Sequence, residues 1–263
     1  MPAEAAHSQS LERGLAVLSA FRSGRPLLGV SELGREVGLS RSTAHRYVST
    51  LATLGYLQQD DATKKYRLGP RVLDLGFSAI HSMELREISA PHLQRLSDET
   101  GYTVNMAVLD GTDIVYIERC RSARVGQRAI DLNLHVGSRL PAYCTSMGKI
   151  LLAYLPDGER DALLDELELR QRGPNTLTER RTLLSELGQV RQAGLAINNE
   201  ELAYGLRSIA APVLAQSGKI AAAINLAVHS SMVSMNELVE RLGRPLKRTA
   251  AEISAHIGYR PDA

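Results

Sequence analysis

The first 70 residues carry the pattern that most restricts what this chain can become. Three short amphipathic helical segments are followed by two β-like pieces around a polar turn. Residues 8–22 place Leu11, Leu15, Val17 and Leu18 at helical spacing, with Ser8 or Ser10 as the N-cap and Glu12 in the first turn. The break Ser23-Gly24-Arg25-Pro26 ends it. A second helix is expected over 31–37, capped by Ser31, and Gly38-Leu39-Ser40 then makes a tight turn. A third, 41–55, sets Ala44, Val48, Leu51 and Leu54 on one face and ends at Gly55. Residues 56–59 and 65–68, joined by 60–64, read as a hairpin. Helix, helix, tight turn, helix, hairpin is the order of a winged helix-turn-helix, whose second motif helix enters the major groove N-terminus first.

The residues at that end are Ser40, Arg41, Ser42, Thr43, His45 and Arg46. Arginine can bond guanine bidentately, and hydroxyls suit phosphates and caps. Lys64, Lys65 and Arg67 on the wing are expected at phosphates or a minor groove. Tyr47 fits either a phosphate contact or packing. Charge agrees with this placement. The 263 residues carry a net charge of only +2, but residues 1–80 hold 10 basic and 7 acidic side chains, and the remainder 21 and 22. A single winged domain covers roughly 600–1,000 Å² of DNA, so at least a homodimer reading two half-sites of double-stranded operator DNA is expected.

Beyond residue 70 the pattern changes. A helical stretch over 71–99, opened by Gly69-Pro70, should be divided by Pro91 into helices of about 70–86 and 88–100. Strands are expected at 103–109, 114–118, 129–134, 195–198, 208–214 and 220–228. Helices are expected at about 145–155, 157–167, 178–193 and 231–257. Such a mixture over some 170 residues indicates an α/β or α+β domain around a central sheet. The longest apolar runs fall far short of a spanning helix, and residues 1–14 lack signal-peptide character, so a cytoplasmic protein with no membrane partner is expected. No Trp and two Phe leave little material for stacking single-stranded nucleic acid.

Several motifs in order resemble the IclR family of bacterial transcription regulators. They are SLERGLAVLSAF (10–21), VSELGREVGLSRSTAHRYVSTLATLGYL (30–57), LPAYCTSMGKILLAYLP (140–156), GLAINNEELAYGLRSIAAPV (194–213) and AAAINLAV (221–228). The resemblance implies an α+β chain: a flexible tail (1–9), a winged helix-turn-helix (10–69), a linker helix (70–90) and a GAF-like effector-binding domain (91–258). It implies homodimers, often paired as dimers of dimers, a small organic acid as effector, and no cofactor or metal. VGSRLPAYCTSMGK (136–149) is most similar to the branch controlling protocatechuate, 4-hydroxybenzoate and β-ketoadipate catabolism.

A helix N-terminus near Cys144–Met147 presents unpaired N–H groups and a positive dipole end, which suit a carboxylate. By position, the resemblance carries effector contacts to Ser146 and Met147, Asn198, Ser208, Asn225 and Ala227. Asn198 stands where relatives have Asp, and Asn225 and Ala227 where they have Ser; these changes favour a larger or less polar acid. Tyr143, Met106 and Leu134 are expected as apolar walls, or as ordinary core. Other chemistry is poorly supplied. Glu200 and Glu201 lack further ligands for a metal, and Cys144 with His135 lacks an orienting third group, so no enzyme is expected. A thiol sensor using Cys144, with or without Cys120, is the alternative, because a helix N-terminus can lower a thiol pKa. The sequence leaves activation and repression both open.

Overall fold

The computed structural model describes residues 8–22, 24–81, 84–121 and 134–260. The chain divides into two compact units, residues 1–82 and 83–263.

In the first unit, α1 (Gln9–Ser19) is capped by Ser8, whose side chain accepts from Leu11 N. Helix α2 spans Val30–Glu36 and α3 spans Arg41–Thr53. The expected Ser31 cap is displaced: α2 starts at Val30, and the Glu32 carboxylate reaches back to Gly29 N at 2.7 Å. That bond satisfies a donor the helix end would otherwise leave open. Gly38 (φ 65°) makes the turn between the helices, and Gly55 (φ 79°) follows α3 as its left-handed C′ residue. Strands β1 (Leu57–Gln59) and β2 (Tyr66–Leu68) pair as the wing, and Leu28 bridges to Tyr66. Val17, Leu28, Leu33, Val48 and Leu57 form the buried core, with Tyr47 packed at its edge. Helix α4 (Arg71–His81) follows.

In the second unit, α5 runs unbroken from Glu84 to Thr100. Pro91 therefore does not divide it as expected. Pro91 is exposed, whereas Leu93 and Leu96 on the other face are fully buried, and that packing outweighs the lost backbone bond. Strands β3 (Thr103–Asp110), β4 (Asp113–Cys120), β5 (Arg139–Pro141), β6 (Ala196–Asn199), β7 (Leu206–Leu214) and β8 (Ile220–His229) form one antiparallel sheet, ordered β5-β4-β3-β8-β7-β6. A 3-10 turn, Ala142–Cys144, leads into α6 (Ser146–Ala153); α7 (Asp157–Glu166) and α8 (Arg180–Ala193) follow. The expected final helix is three pieces: α9 (Met235–Glu237), a π turn (Leu238–Leu242) and α10 (Gly243–His256). The strand expected at 129–134 lies outside the described residues except for Leu134, which is irregular.

The two faces of the sheet differ in kind. Val104, Met106, Ile209, Val213, Ile224, Leu226 and Val228 point to one face, under α5 and α10. Their neighbours in the alternation, Ala107, Ala196, Ala210 and Ala223, point to the other, under α6. Small side chains let α6 lie close to the sheet; α8 then packs outside it over Leu183, Leu187 and Val190.

Candidate functional site

On α3, Arg41, Ser42, His45 and Arg46 are exposed, whereas Ala44 and Val48 are buried. Spacings of three and four residues put the exposed set on one face. Ser40 holds the helix start. Its Oγ accepts from Thr43 N at 3.3 Å and lies 3.1 Å from Ser42 Oγ and 2.9 Å from Thr43 Oγ1. These hydroxyls are thus engaged in capping. The wing cations are engaged too. Lys65 pairs with Glu32 on α2 at 3.2 Å, Lys64 lies 4.0 Å from Asp61, and Arg67 donates twice to Gln58 Oε1 at 3.1–3.2 Å. Lys64 and Arg67 are exposed and Lys65 partly so, which leaves these contacts free to exchange with phosphate.

A small cavity of about 30 Å³ lies on the α6 face of the sheet. Two cross-strand rows build its floor. One is Thr103, Ala227, Ser208 and Asn198; the other is Arg119, Asn105, Asn225 and Ala210. Thr103, Asn105, Arg119, Asn198, Ser208, Asn225 and Ala227 line it, with Tyr116, Leu134, Thr145, Leu202 and Leu206. Ser146 stands one hydrogen bond behind: its Oγ is 2.7 Å from Ser208 Oγ and accepts from Asn225 Nδ2 at 3.5 Å. Thr145 caps α6 by accepting from Gly148 N at 3.1 Å. Asn198 bridges, donating to Cys144 O at 2.6 Å and accepting from Glu201 N at 3.1 Å.

The structure therefore gathers Ser146, Asn198, Ser208, Asn225 and Ala227, together with the wall residue Leu134. Met147 is fully buried in the core around α6 rather than on the lining. Met106 points to the opposite face of the sheet, and Tyr143 donates its hydroxyl to Arg170 O at 2.7 Å. Both are core, the second of the two roles expected for them.

Sequence reasoning missed Thr103, Asn105, Tyr116 and Arg119. Polar residues at two successive inward positions of an otherwise apolar strand were the signal for the first two. The others depend on a bulge: Asn105 pairs Arg119, Met106 pairs Glu118, but Ala107 pairs Tyr116, leaving Ile117 as the extra residue. That residue turns Tyr116 and Arg119, an odd distance apart, to the same cavity. Burial pushes the Tyr116 phenol up to about 12.

Cys144 is fully buried, and burial pushes its thiol up to about 11, the reverse of the lowering expected at a helix N-terminus. Cys120 is likewise raised to about 11 by burial, and belongs to the core on the other face of the sheet. Both cysteines are free. Neither presents the exposed, low-pKa thiol that a redox sensor uses. Glu200 accepts from Gly205 N at 2.8 Å and Ser230 Oγ at 2.9 Å, while Glu201 pairs with Lys149. They serve separate structural contacts. Among the described residues no cluster could hold a metal.

The sequence profile of the bacterial transcriptional regulator IclR C-terminal domain matches residues 77–255, and that of the IclR helix-turn-helix domain matches residues 10–61. The chain belongs to the IclR family. As an IclR-family protein it is a transcription regulator, with a DNA-binding helix-turn-helix and a domain that takes a small-molecule effector; its relatives are regulators rather than enzymes. It is 41% identical over 232 residues to the Pca regulon regulatory protein of Pseudomonas putida, covering 88% of this chain and 78% of that one. It is 34% identical over 244 residues to the p-hydroxybenzoate hydroxylase transcriptional activator of Acinetobacter baylyi, covering 92% and 89%. An IclR homologue from Microbacterium hydrocarbonoxydans, solved in complex with 4-hydroxybenzoate, superposes with a TM-score of 0.80 at 27% identity, covering 94% of this chain and 98% of that one.

Proposed function

We propose that this IclR-family regulator controls genes of aromatic-acid catabolism and answers to an aromatic acid or its ring-cleavage product. The polar cavity on the α6 face, within the part of the chain that matches the effector-binding profile, carries the reading. The name of the Acinetobacter relative and the 4-hydroxybenzoate bound to the Microbacterium homologue support the chemical class. The ligand's carboxylate is assigned to the N-terminus of α6, where the first N–H groups lack intrahelical partners and the dipole favours an anion. Ser146, Met147 (through its backbone), Asn198, Ser208, Asn225 and Ala227 are the proposed effector residues.

A cavity of about 30 Å³ holds about one water molecule. A benzoate ring therefore enters only as the walls move apart. Binding and conformational change are then one event, which is what a ligand must achieve to shift an equilibrium.

Ser40, Arg41, Ser42, Thr43, His45 and Arg46 are the proposed reading face, with Lys64, Lys65 and Arg67 on the wing. The proposed division is 10–69 for the winged domain, 70–90 for the linker and 91–258 for the effector domain, after a tail of 1–9. The working form is a cytoplasmic homodimer, paired into a dimer of dimers. Leu11 and Leu15 on α1 and Leu73 and Leu75 on α4 are each more than half exposed, apolar surface that a second copy would cover.

Footprinting on the DNA upstream of the gene, with and without 4-hydroxybenzoate, protocatechuate or β-ketoadipate, tests this. One acid should change operator affinity roughly 5–150-fold. Binding that does not weaken with salt, or that none of the acids alters, overturns the proposal.

A further inference from the structure

Two side chains on the cavity floor have unused hydrogen-bonding capacity. Asn105 is 2% exposed. Its Nδ2 donates to Asn225 Oδ1 at 2.8 Å, but its own Oδ1 meets no partner among the described residues, and neither does Thr103 Oγ1. Unpaired buried polar atoms are costly and few, and each calls for an explanation. Thr103 and Asn105 are two residues apart on β3, so their side chains leave the strand on the same side. Both reach the cavity.

The chemistry of the orphan defines what it can take. An amide oxygen only accepts. A carboxylate brings no donor and repels it, so this atom does not take the acid group, although Arg119, its cross-strand neighbour on β4, is a cation on the same lining. The amide oxygen takes an O–H. The α6 N-terminus, with Ser146 and Ser208, offers donors at the other side of the lining. The unpaired Asn105 Oδ1 thus stands apart from these hydroxyls as an acceptor alone.

We infer that Asn105 Oδ1, with Thr103 Oγ1 beside it, reads a ring hydroxyl, so that the effector is a hydroxylated aromatic acid rather than a plain aromatic acid or a ring-opened keto acid. The inference rests on the aromatic-acid reading of the cavity given above.

Calorimetric titration of the full chain with benzoate, 3-hydroxybenzoate, 4-hydroxybenzoate, 3,4-dihydroxybenzoate and the methyl ethers of the two monohydroxylated acids tests it. At least one hydroxylated acid should bind about tenfold or more tightly than both benzoate and an ether, because only the free hydroxyl pairs the orphan. Asn105→Leu should bring that acid down to the level of benzoate. If its melting transition shows that Asn105→Leu does not fold, Thr103→Val, which replaces a hydroxyl by a methyl, should reduce the same preference several-fold. Equal binding of benzoate, ether and hydroxylated acid overturns the inference and leaves the aromatic-acid reading standing, as does a preference that survives the substitution. Binding of β-ketoadipate but of no benzoate overturns the inference and leaves the ring-cleavage product of the proposed function standing; binding of none of these acids overturns both.

Discussion

Lys149 and Glu201 meet at 2.7 Å with 1% and 8% of their side chains exposed. The pair joins α6, one turn beyond Ser146, to the segment after β6, where Glu201 N also holds the side chain of Asn198. A second carboxylate, Glu186 on α8, lies 3.2 Å from the same ammonium but is one-third exposed. Removing one partner of a buried pair leaves the other charged and unsolvated. Lys149→Met should therefore cost about 3–5 kcal/mol. The double change Lys149→Met/Glu201→Leu should recover much of that, and Glu186→Gln should cost under about 1 kcal/mol. Urea midpoints of the three variants give the comparison; a double variant no more stable than Lys149→Met would refute it.

The reading face makes a separable prediction. Arg41 and Arg46 belong to the first unit and lie on the exposed side of α3. Arg41→Ala or Arg46→Ala should weaken operator binding and leave effector-induced thermal stabilisation intact. Fluorescence anisotropy over a salt series and a melting scan with ligand read the two properties separately. Loss of both together would argue against independent reading and sensing parts.

Glu32 engages the wing cation Lys65, which is proposed to meet DNA. It accepts from Gly29 N and pairs with Lys65, and these hydrogen bonds hold its carboxyl below the usual range. Glu32→Gln keeps an acceptor for Gly29 N but frees Lys65 and removes an anion from the DNA-binding unit. Operator affinity should rise several-fold and its salt dependence should steepen. Stability should change little, as for other solvent-screened pairs. Unchanged affinity would place Lys65 outside the DNA contact.

The thiols should be inert. With a pKa of about 11, Cys144 is thiolate in only about one molecule in a thousand at pH 8, and it is fully buried. Iodoacetamide should label neither cysteine in the native chain and both in urea; native labelling of Cys144 that altered operator binding would restore the redox reading. The same shifts set an alkaline limit. A folded-state pKa raised from 9.0 to about 11 favours the neutral thiol, and Tyr116 is raised from 10.0 to about 12. The stability these groups lend is full below pH 9 and is lost as pH climbs through 11 and 12. Melting temperature should fall over that window, and Tyr116→Phe should flatten its upper part.

The head was legible because its signals are local. Ser40, Gly38 and Gly55 act within a turn of where they stand, and the alternation of β7 and β8 shows in the residues themselves. What was not legible depends on distant partners. Pro91 looked like a break until Leu93 and Leu96 packed against the sheet. Lys149 sits in the apolar run SMGKILLA, and only Glu201, 52 residues later, accounts for it. The short strand Arg139–Pro141 is fixed by pairing with β4 rather than by its own composition. The effector positions at Ser146, Asn198, Ser208, Asn225 and Ala227 came from resemblance; Asn105 and Thr103 could have been found by asking why inward strand positions are polar.

The extra residue at Ile117 makes the sensing surface a matter of parity. Strand residues alternate, so a shift of one exchanges the two faces for everything beyond it. Deleting Ile117 would remove the bulge and leave Tyr116 and Arg119 two apart, both still on the cavity side, whereas pairing Ile117 in regular register would send Arg119 into the apolar layer beneath. The bulge thus sets which side chains beyond it line the cavity, with no change to the sheet's order or to any other strand. In a relative whose β4 lacks the bulge, one residue rather than two should therefore separate the tyrosine and arginine positions.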